Sequence, residues 1–388
     1  MKKIGVITVA RSDYSILRPV MRAIEAHDGL ELAVIATGMQ LSPQFGMTVS
    51  EIESDGFKID KRVEMLLSSD TPTGTAKSVG VGVLGFADYY ETCGLDCIVV
   101  MGDRFEMFSA AAAALPFRIP IAHIHGGELS EGAFDDALRH SITKLSHVHF
   151  VSTQTYRNRV IQLGEAPERV FVSGAPALDN LKSFEPMSRL EMEEKIGLAP
   201  EASPILVTFH STTLEAEETQ SDTEALLGAL ENADTQIVIT APNADPASAQ
   251  IRASLQAFAA NRTGRAVFVE NLGLRAYYTL LGKASVMVGN SSSGIIEAAS
   301  FGLPVVNIGN RQKGRLCGEN VIHVPAAENE ISDAIARATS PQFKASVAGM
   351  VNPYGDGHAA QIIADTLAGL PTGAGACMKL FYDLEIAQ

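Results

Sequence analysis

Short apolar runs alternate with amphipathic segments along most of the chain, and the runs are nearly unbroken. Continuous apolar strands are typical of a parallel sheet that is covered on both faces. The segments between them, such as DYSILRPVMRAIEAH and DDALRHSITKL, predict amphipathic helices. The pattern therefore predicts an α/β protein with strands at 3–10, 30–38, 57–64, 96–102, 119–126, 147–152, 169–174, 204–210, 235–241, 266–271, 285–290, 304–310 and 321–325.

A polar segment with two prolines interrupts this alternation at residues 178–203. It divides the chain into two predicted doubly wound, Rossmann-like domains, 1–178 and 204–359, joined by a linker over 179–203. Ligands bind outside the carboxyl ends of parallel strands. We therefore expect the site in a cleft where the strand ends of the two domains face each other.

Composition narrows the class of protein. A chain of 388 residues is too long for a single hydrophobic core and has the length expected for two domains. Its formal net charge of −15 disfavours nucleic-acid binding, which needs a basic face. The longest small-apolar run, 109–117, is too short to span a bilayer. The four cysteines show neither C-x-x-C pairs nor a disulfide framework, so we expect a cytoplasmic protein. From the charge and the short apolar run, we expect that it binds neither nucleic acid nor membrane.

The first strand is followed by VARSDYS, in which Arg11, Ser12 and Ser15 lie at a helix N-terminus. The backbone N–H groups at such a position attract anions, so this is a candidate anion site. The alternative is an ordinary N-cap formed by Ser12 or Asp13. No G-x-G-x-x-G motif follows this strand, so a dinucleotide site is not indicated.

Acidic residues follow the fourth and fifth predicted strands. Asp103 comes directly after an apolar strand in MGDRFE, which suits a catalytic acid, and Arg104 beside it could hold a phosphate. The alternative for this motif is again an N-cap. Asp135 and Asp136 begin a helix in HIHGGELSEGAFDD, and because one aspartate suffices for a cap, the second is left for catalysis.

Histidines are crowded in the same region and suggest a metal site. However, no H-E-x-x-H or H-x-x-x-H pair occurs among them, so we predict that no metal is bound. We instead expect His147 and His149 to be core histidines bonded to the backbone. The five histidines are His123, His125, His140, His147 and His149.

The most specific motif of the second half is VGNSSSGIIEAA, in which a strand ends and a helix begins. The backbone N–H groups and hydroxyls of such a helix start suit a diphosphate. Glu297, one turn inside, is expected to accept hydrogen bonds from ribose hydroxyls; the alternative is a structural capping box. The residues predicted to open the helix are Ser291, Ser292, Ser293 and Gly294.

Two further strand ends of the second half carry polar residues. His210 follows a strand in FHSTT and is expected to face the cleft. The glycine-rich loop IGNRQKGRLCGEN contains Arg311, Lys313 and Arg315, which predict a phosphate clamp. The alternative is a solvated basic loop.

Taken together, these motifs resemble the hydrolysing UDP-N-acetylglucosamine 2-epimerases of sialic-acid biosynthesis. The resemblance extends from about residue 3 to the end of the chain. It implies a GT-B-like fold in which a C-terminal helix (360–388) joins the first domain, and it implies a homodimer. The motifs that carry it are ARSDYSILRPV, TGM, GDRFEMFSAA, IHGGELSEGAFDDALRHSITKLSHVHF, FH, GNSSSGIIE, IGNRQKGR and NPYGDG.

The resemblance implies a reaction without a metal or redox cofactor. UDP is eliminated across C1–C2 to give 2-acetamidoglucal, and water is then added with inversion at C2. The products are N-acetylmannosamine and UDP. Such chemistry needs carboxylates around the sugar and arginines on the departing diphosphate.

The resemblance also assigns residues. Asp103 and Asp135 match the catalytic acids, and His210 matches a histidine near the diphosphate. Many members read H-I-E-G-G-E where this chain has HIHGGE, so either His125 or Glu128 takes over the proton transfer of the missing glutamate. The nucleotide-contacting positions are Arg11, Ser15, Arg104, Asn243, Ser291, Ser292, Glu297 and Arg311.

The substrate has an alternative within the same resemblance. A sister group of bacterial enzymes with similar motifs hydrolyses GDP-N,N'-diacetylbacillosamine for legionaminic-acid synthesis, and LSPQFGMTVSEIESDGFKID resembles that group. UDP-N-acetylglucosamine is the first interpretation and the GDP sugar the second. A GT-B glycosyltransferase and a non-catalytic nucleotide-sugar sensor are more distant alternatives, because neither needs the acidic GGELSEGAFDD segment together with Asp103 and His210.

Overall fold

The computed structural model describes residues 1–69, 71–130, 134–197, 203–211, 219–242, 248–371 and 373–385. The chain divides into two compact units. Unit 1 comprises Met1–Glu128, Phe134–Lys182 and Tyr354–Gln388, and unit 2 comprises Leu129–Ala133 and Ser183–Pro353. Among the described residues, none of the helices has the length and apolar character that crossing a bilayer requires.

Each predicted apolar run contains a β-strand, and the strands pair in parallel throughout both sheets. The prediction of an α/β protein with two doubly wound sheets is therefore confirmed. The strands are β1 Lys2–Thr8, β2 Leu30–Thr37, β3 Ile59–Val63, β4 Cys97–Met101, β5 Ile121–Ile124, β6 Val148–Val151, β7 Val170–Val172, β8 Ile205–Thr208, β9 Ile237–Thr240, β10 Ala266–Val269, β11 Val286–Gly289, β12 Val305–Ile308 and β13 Val321–Val324.

Helices connect these strands and bury one apolar face each. In the first helix, Leu17, Met21 and Ile24 recur at helical spacing and are fully buried. Short 3₁₀ turns occur at 38–41, 43–45, 167–169, 176–183, 298–301 and 374–377. The helices are α1 Arg11–Ala26, α2 Val49–Ser54, α3 Pro72–Tyr90, α4 Phe105–Ala114, α5 Asp135–Leu145, α6 Gln154–Gln162, α7 Arg189–Ile196, α8 Thr219–Glu231, α9 Ser248–Asn261, α10 Gly273–Lys283, α11 Ser292–Ile296, α12 Glu328–Thr339, α13 Pro341–Val347 and α14 Ala359–Gly369.

The strand order gives each unit its own switch point. Unit 1 has the order β3-β2-β1-β4-β5-β6-β7, and unit 2 has the order β10-β9-β8-β11-β12-β13. The order reverses between β1 and β4 in unit 1, and between β8 and β11 in unit 2. Crevices for ligands form at such points, outside the carboxyl ends of the strands. The residues that follow these four strands are therefore the first candidates for function.

The segment predicted as a linker is partly built into unit 2. The ring centroids of Phe184 and Tyr278 lie 5.6 Å apart, and the two rings meet edge to face. Arg275 Nε donates to the carbonyl oxygen of Glu185 at 3.0 Å. Helix α7 begins with a capping box formed by Ser188 and Glu191. Polar composition therefore does not make this segment a free connection, and the predicted domain ends stay a prediction.

The C-terminal helix is shorter than the predicted 360–388. Helix α14 ends at Gly369, and after it come Pro371 and two glycines, which do not favour a helix. The following residues 373–385, here called the C-terminal strap, lie along unit 1. Tyr382 N–H donates to the Gly164 carbonyl oxygen at 2.9 Å.

The strap is anchored through the buried carboxylate of Glu165. Lys379 Nζ lies 2.9 Å from both carboxylate oxygens, and Lys144 and His149 also donate to them. Burial alone would raise the pKa of Glu165, but these donors lower it to about 2.

Glu165 is expected to make unit 1 sensitive to acid. Because its pKa in the folded chain is below the ordinary 4.5, the folded state binds fewer protons than the unfolded state. The contribution to stability, about 3 kcal/mol, is complete above pH 4.5 and is lost as the pH falls towards 2. In urea unfolding, the free energy of unfolding of Glu165→Gln should fall less steeply than that of the wild type as the pH is lowered through this range. Glu168→Gln, at an exposed position, is the control, and equal slopes for both variants would contradict the prediction.

Candidate active site

Asp13 is the third residue of α1, and the N-cap position is Ala10, so the alternative of an N-cap formed by Ser12 or Asp13 is wrong. The Asp13 carboxylate instead reaches back to accept from the N–H groups of Val9 and Ala10 and from the Thr8 hydroxyl. Burial raises the pKa of Asp13 to about 6. Arg11 is exposed at the same turn, and Ser15 Oγ donates to the Ser12 carbonyl oxygen at 2.8 Å. An anion-binding role of Arg11 and Ser15 stays a prediction.

A buried arginine holds the strand end after β4. Arg139 of α5 donates through Nη2 to Asp103 Oδ2 and through Nη1 to the His125 carbonyl oxygen at 3.0 Å. The Arg139 side chain is 3% exposed, whereas that of Asp103 is 22% exposed. Asp103 therefore has a fixed orientation and still keeps some accessible surface, as an acid–base group requires.

The loop that follows β5, residues 125–128, is held on both sides by arginines. His125 has a φ of 63° and Gly127 a φ of 77°, both in the left-handed region. Arg139 binds the first carbonyl of this loop, and Arg159 Nη1 binds the carbonyl oxygen of Gly127. Only glycine fits at Gly127, because a Cβ there would lie 2.6 Å from the carbonyl oxygen of Tyr156.

The loop also contains a buried histidine–carboxylate pair. His125 Nδ1 lies 2.6 Å from Glu128 Oε1, and the side chains are 8% and 2% exposed. Ser152, directly after β6, donates to the same Glu128 oxygen at 2.9 Å. The two residues that the sequence left as alternatives thus form one hydrogen-bonded pair.

Arg104, predicted to hold a phosphate, bonds to the fully buried Glu106. Its Nε lies 3.3 Å from Glu106 Oε2, and its Nη2 lies 3.2 Å from the sulfur of Met39. About a third of the Arg104 side chain remains exposed. Glu106 therefore orients Arg104 at the switch point of unit 1 without covering it.

Asp135 and Asp136 lie in the first turn of α5, but the N-cap position is Phe134, so neither aspartate is the expected N-cap. Asp136 pairs with His140 at 3.4 Å. Asp135 is half-buried and precedes Arg139 by four residues, so both lie on one face of α5. A catalytic role of Asp135 stays a prediction.

The remaining histidines of this region have structural partners. His147 Nδ1 accepts from the Ile121 N–H at 3.1 Å, as expected for a core histidine. His149 bonds to Glu165 instead of the backbone, so that expectation was wrong for His149. His123 bonds to the Gly102 carbonyl oxygen at 2.8 Å, and burial lowers its pKa to about 3. Across the described parts of the chain, no three His, Cys, Asp or Glu side chains are grouped in a way that could hold a metal ion.

In unit 2, Asn290 fixes the strand end that carries His210. Asn290 Oδ1 accepts from the His210 N–H and its Nδ2 donates to the His210 carbonyl oxygen, both at 2.8 Å. His210 is buried. Burial, and secondarily the charge of Arg311, lower the pKa of His210 well below its ordinary value. His210 is therefore a neutral imidazole, able to donate one hydrogen bond and accept another.

The predicted diphosphate motif forms helix α11 after β11. Ser291 is the N-cap and accepts from the Ser293 N–H at 3.3 Å. Gly294 allows close packing, because a Cβ there would lie 3.0 Å from Val305. Ser292 and Ser293 are half-buried in the first turn.

Glu297 ends this helix and has a protein partner. Tyr278 Oη donates to Glu297 Oε1 at 3.0 Å, and burial raises the pKa of Glu297. A contact between Glu297 and ribose stays a prediction. The capping-box alternative is wrong, since Glu297 lies at the C-terminal end of α11.

The basic loop after β12 is tied to the same strand end. Arg311 Nη1 and Gln312 Nε2 donate to the Asn290 carbonyl oxygen at 3.2 and 2.8 Å. Arg315 Nε donates to the Leu129 carbonyl oxygen at 3.3 Å. Arg311 is thus brought to the switch point of unit 2, whereas Lys313 is exposed. Asn243 lies outside the described residues.

Several site residues were missed by sequence reasoning. Arg139 and Ser152 hold the acid–base residues of unit 1, and Asn290 and Gln312 hold the strand ends of unit 2. The signal for Arg139 was its spacing of four from Asp135 on a predicted helix. No comparable signal marks Ser152, since its partner is 24 residues away.

Two parallel sheets with a Rossmann-type strand order, each with polar residues at its switch point, define an α/β protein of GT-B-like fold. A solved structure of UDP-GlcNAc 2-epimerase from Neisseria meningitidis, bound to UDP-GlcNAc, shares this fold with a TM-score of 0.82. That structure is 21% identical, over 95% of this chain and 100% of the other. The chain belongs to the UDP-N-acetylglucosamine 2-epimerase family, whose family model matches residues 22–368.

Relatives within the family differ in the sugar that their names specify. The GDP/UDP-N,N'-diacetylbacillosamine 2-epimerase (hydrolyzing) of Campylobacter jejuni is 38% identical over 88% of this chain and 89% of that protein. The UDP-N,N'-diacetylbacillosamine 2-epimerase (hydrolyzing) of Legionella pneumophila is 34% identical over 96% and 97%. A UDP-N-acetylglucosamine 2-epimerase of Neisseria meningitidis serogroup B is 33% identical over 88% of each chain.

Proposed function

We propose that this chain catalyses the hydrolysing 2-epimerisation of a nucleoside-diphosphate-linked 2-acetamido sugar. The observation that carries the proposal is the acid–base cluster of unit 1, in which Arg139 holds Asp103 and the loop that carries the His125–Glu128 pair. Membership of the epimerase family supports it.

The proposed reaction has two proton transfers at C2 of the sugar. A base takes the C2 proton, the electron pair of that bond forms the C1–C2 double bond, and the C1–oxygen bond breaks so that the nucleoside diphosphate leaves. Water then bonds to C1 through its oxygen and gives one proton to a carboxylate, and an acid on the opposite face returns a proton to C2. Asp103, Asp135 and the His125–Glu128 pair supply the acid–base groups.

Unit 2 is proposed to bind the nucleoside diphosphate. The serines at the N-terminus of α11 offer N–H groups and hydroxyls, and neutral His210 offers a ring N–H. Arg311 offers a guanidinium that can donate two hydrogen bonds to the diphosphate. The further residues proposed to contact the nucleotide are Arg11, Ser15, Arg104, Asn243 and Arg315. Charge stabilisation of the departing diphosphate is the chemical purpose of these groups.

For the sugar, we propose N,N'-diacetylbacillosamine linked to UDP or GDP. Two relatives at 38% and 34% identity carry that specificity in their names, which supports it over the UDP-N-acetylglucosamine first favoured from the motifs. UDP-N-acetylglucosamine remains the second candidate, supported by the relative at 33% identity. The homodimer that the resemblance implies and the cytoplasmic location that the cysteines predict both stay predictions.

The deciding experiment is proton NMR in D₂O with three nucleotide sugars, each supplied separately and without an acceptor. The sugars are UDP-N,N'-diacetylbacillosamine, its GDP analogue and UDP-N-acetylglucosamine. We expect nucleoside diphosphate and a 2-epimerised free sugar deuterated at C2. Turnover of UDP-N-acetylglucosamine alone would reassign the substrate, and no turnover of any sugar would contradict the proposed function.

Arg311→Ala is expected to weaken UDP or GDP binding by about tenfold to a hundredfold, because it removes a charge-assisted contact with the diphosphate. Titration calorimetry with UDP and GDP measures the effect. Arg265→Ala is the matched control, since Arg265 is an exposed arginine of unit 2 outside this loop. Equal affinity of Arg311→Ala and the wild type would remove Arg311 from the proposed clamp.

A further inference from the structure

The imidazole of His125 is oriented through its Nδ1 atom. Its Nδ1 is 2.6 Å from the buried Glu128 carboxylate. Ser152 donates to that same carboxylate oxygen at 2.9 Å and restricts its rotation. When a carboxylate binds Nδ1–H, the neutral ring is held in the tautomer whose Nε2 carries a lone pair.

The backbone of His125 is held in a conformation that few residues other than glycine adopt. Its φ of 63° puts it in the left-handed region, where a side chain with a Cβ is strained. Its N–H donates to Phe150 and its carbonyl oxygen accepts from Arg139. Strain that the surroundings enforce in this way is concentrated at functional sites.

From this arrangement we infer that His125 and Glu128 act as one proton-transfer unit, in which His125 Nε2 exchanges the proton and Glu128, held by Ser152, is a positioning residue. This inference rests on the proposed function. In the elimination step, Nε2 takes the C2 proton, the C–H electron pair becomes the C1–C2 double bond, and the diphosphate leaves with the C1–oxygen pair. The resulting imidazolium is stabilised by the negative charge of Glu128.

The charges around the pair decide the sign of its pH dependence. From α5, the Arg139 guanidinium faces the His125 carbonyl and is itself paired with Asp103. From α6, Arg159 faces the Gly127 carbonyl, and from β5, His123 is neutral because burial lowers its pKa to about 3. Glu128 is the anion in direct contact with the ring. Removing its charge therefore destabilises the imidazolium that forms in the reaction.

The kinetic test compares pH profiles of kcat/KM for nucleotide release from the sugar that the wild-type protein turns over. Glu128→Gln is expected to lower kcat/KM by about 10²-fold or more and to move the acid limb to lower pH by about one pH unit. Glu128→Asp, which keeps the charge, is expected to restore the limb to its wild-type position. His125→Gln is expected to lower kcat by about 10²- to 10⁴-fold, with a smaller effect on KM.

A matched control variant and an NMR measurement distinguish a role in proton transfer from a loss of structure in the variants. His27→Gln, at the opposite end of the unit 1 sheet, should leave the profile unchanged. In wild-type protein with ¹⁵N-labelled histidine, NMR should show a far-downfield ring N–H proton that disappears in both His125→Gln and Glu128→Gln, whereas any such proton of the His149–Glu165 pair should persist.

The outcomes distinguish this inference from the proposed function. A wild-type protein that releases no nucleotide from any of the three sugars overturns both. An active wild type with an unmoved acid limb in Glu128→Gln, or with near-normal kcat in His125→Gln, overturns the pair and leaves the function standing. If no downfield ring proton is lost in both His125→Gln and Glu128→Gln, the inferred proton-transfer unit is also overturned.

Discussion

Asp103→Asn is expected to lower kcat by about 10²- to 10⁴-fold, the usual contribution of a positioned acid or base, while UDP or GDP still binds. Asparagine has the size of aspartate and retains one oxygen to accept from Arg139, so the orientation after β4 is kept. It has no titratable group, so only the proton transfer is lost. Nucleotide release measures turnover, and titration calorimetry measures affinity for UDP and GDP.

The control for this variant is Asp365→Asn, because the Asp365 side chain is 59% exposed. Its carboxylate accepts from Gln361 of the same helix, α14, at 2.8 Å and lies 3.7 Å from His27 Nε2. It should leave turnover and affinity unchanged. Turnover of Asp103→Asn within threefold of the wild type would remove Asp103 from the acid–base residues. A parallel loss of nucleotide affinity would show that the charge of Asp103 is needed for structure instead.

The fold could be predicted because its signal is local and redundant. An unbroken apolar run such as that of β4 is buried along its whole length, and the same pattern recurs in both sheets. Parallel neighbours also need crossover connections, most often helices, so alternation of the two patterns predicts parallel sheets. The ends of elements were less predictable. The helix predicted over 360–388 stops at Gly369, where tertiary contacts of Lys379 favour an extended strap.

The site could be predicted only in part, because strand ends are visible in sequence and partners are not. Asp103, His125 and His210 follow apolar strands, so their positions at the carboxyl ends of the sheets followed from the pattern. Arg139 looks like an ordinary polar residue of an amphipathic helix, and only the fold shows that it is buried against Asp103.

Pairing also changes what a predicted residue can do. Sequence reasoning treated His125 and Glu128 as alternatives, but the left-handed turn of the loop brings their side chains to 2.6 Å. It treated Glu297 as available for ribose, but a tyrosine already occupies one of its oxygens. Hydrogen-bond partners that are distant in sequence decide these roles, and a single sequence contains no direct record of them.

Gly289→Ala is expected to destabilise unit 2 by about 3 kcal/mol or more. Gly289 ends β11 with a φ of 143°, and a Cβ at this position would lie 2.0 Å from the Thr208 carbonyl oxygen of β8. That oxygen also accepts from the Asn290 N–H, so it cannot retreat without breaking the strand end. Urea unfolding, followed by hydrogen exchange of unit 2 amides, measures the loss.

The same variant should also lose nucleotide affinity, because β8 and β11 carry the residues proposed to bind the diphosphate. Pushing the two strands apart moves His210 and Asn290, whose mutual hydrogen bonds hold the switch point. Gly264→Ala is the matched control: it also has a positive φ, of 84°, but its Cβ would meet no atom within 4 Å. It should destabilise unit 2 only by the backbone strain, about 1 kcal/mol, and should leave the affinity for nucleotide unchanged. Equal losses for both variants would mean that backbone conformation, and not the close approach of the two strands, makes glycine necessary at this end of β11.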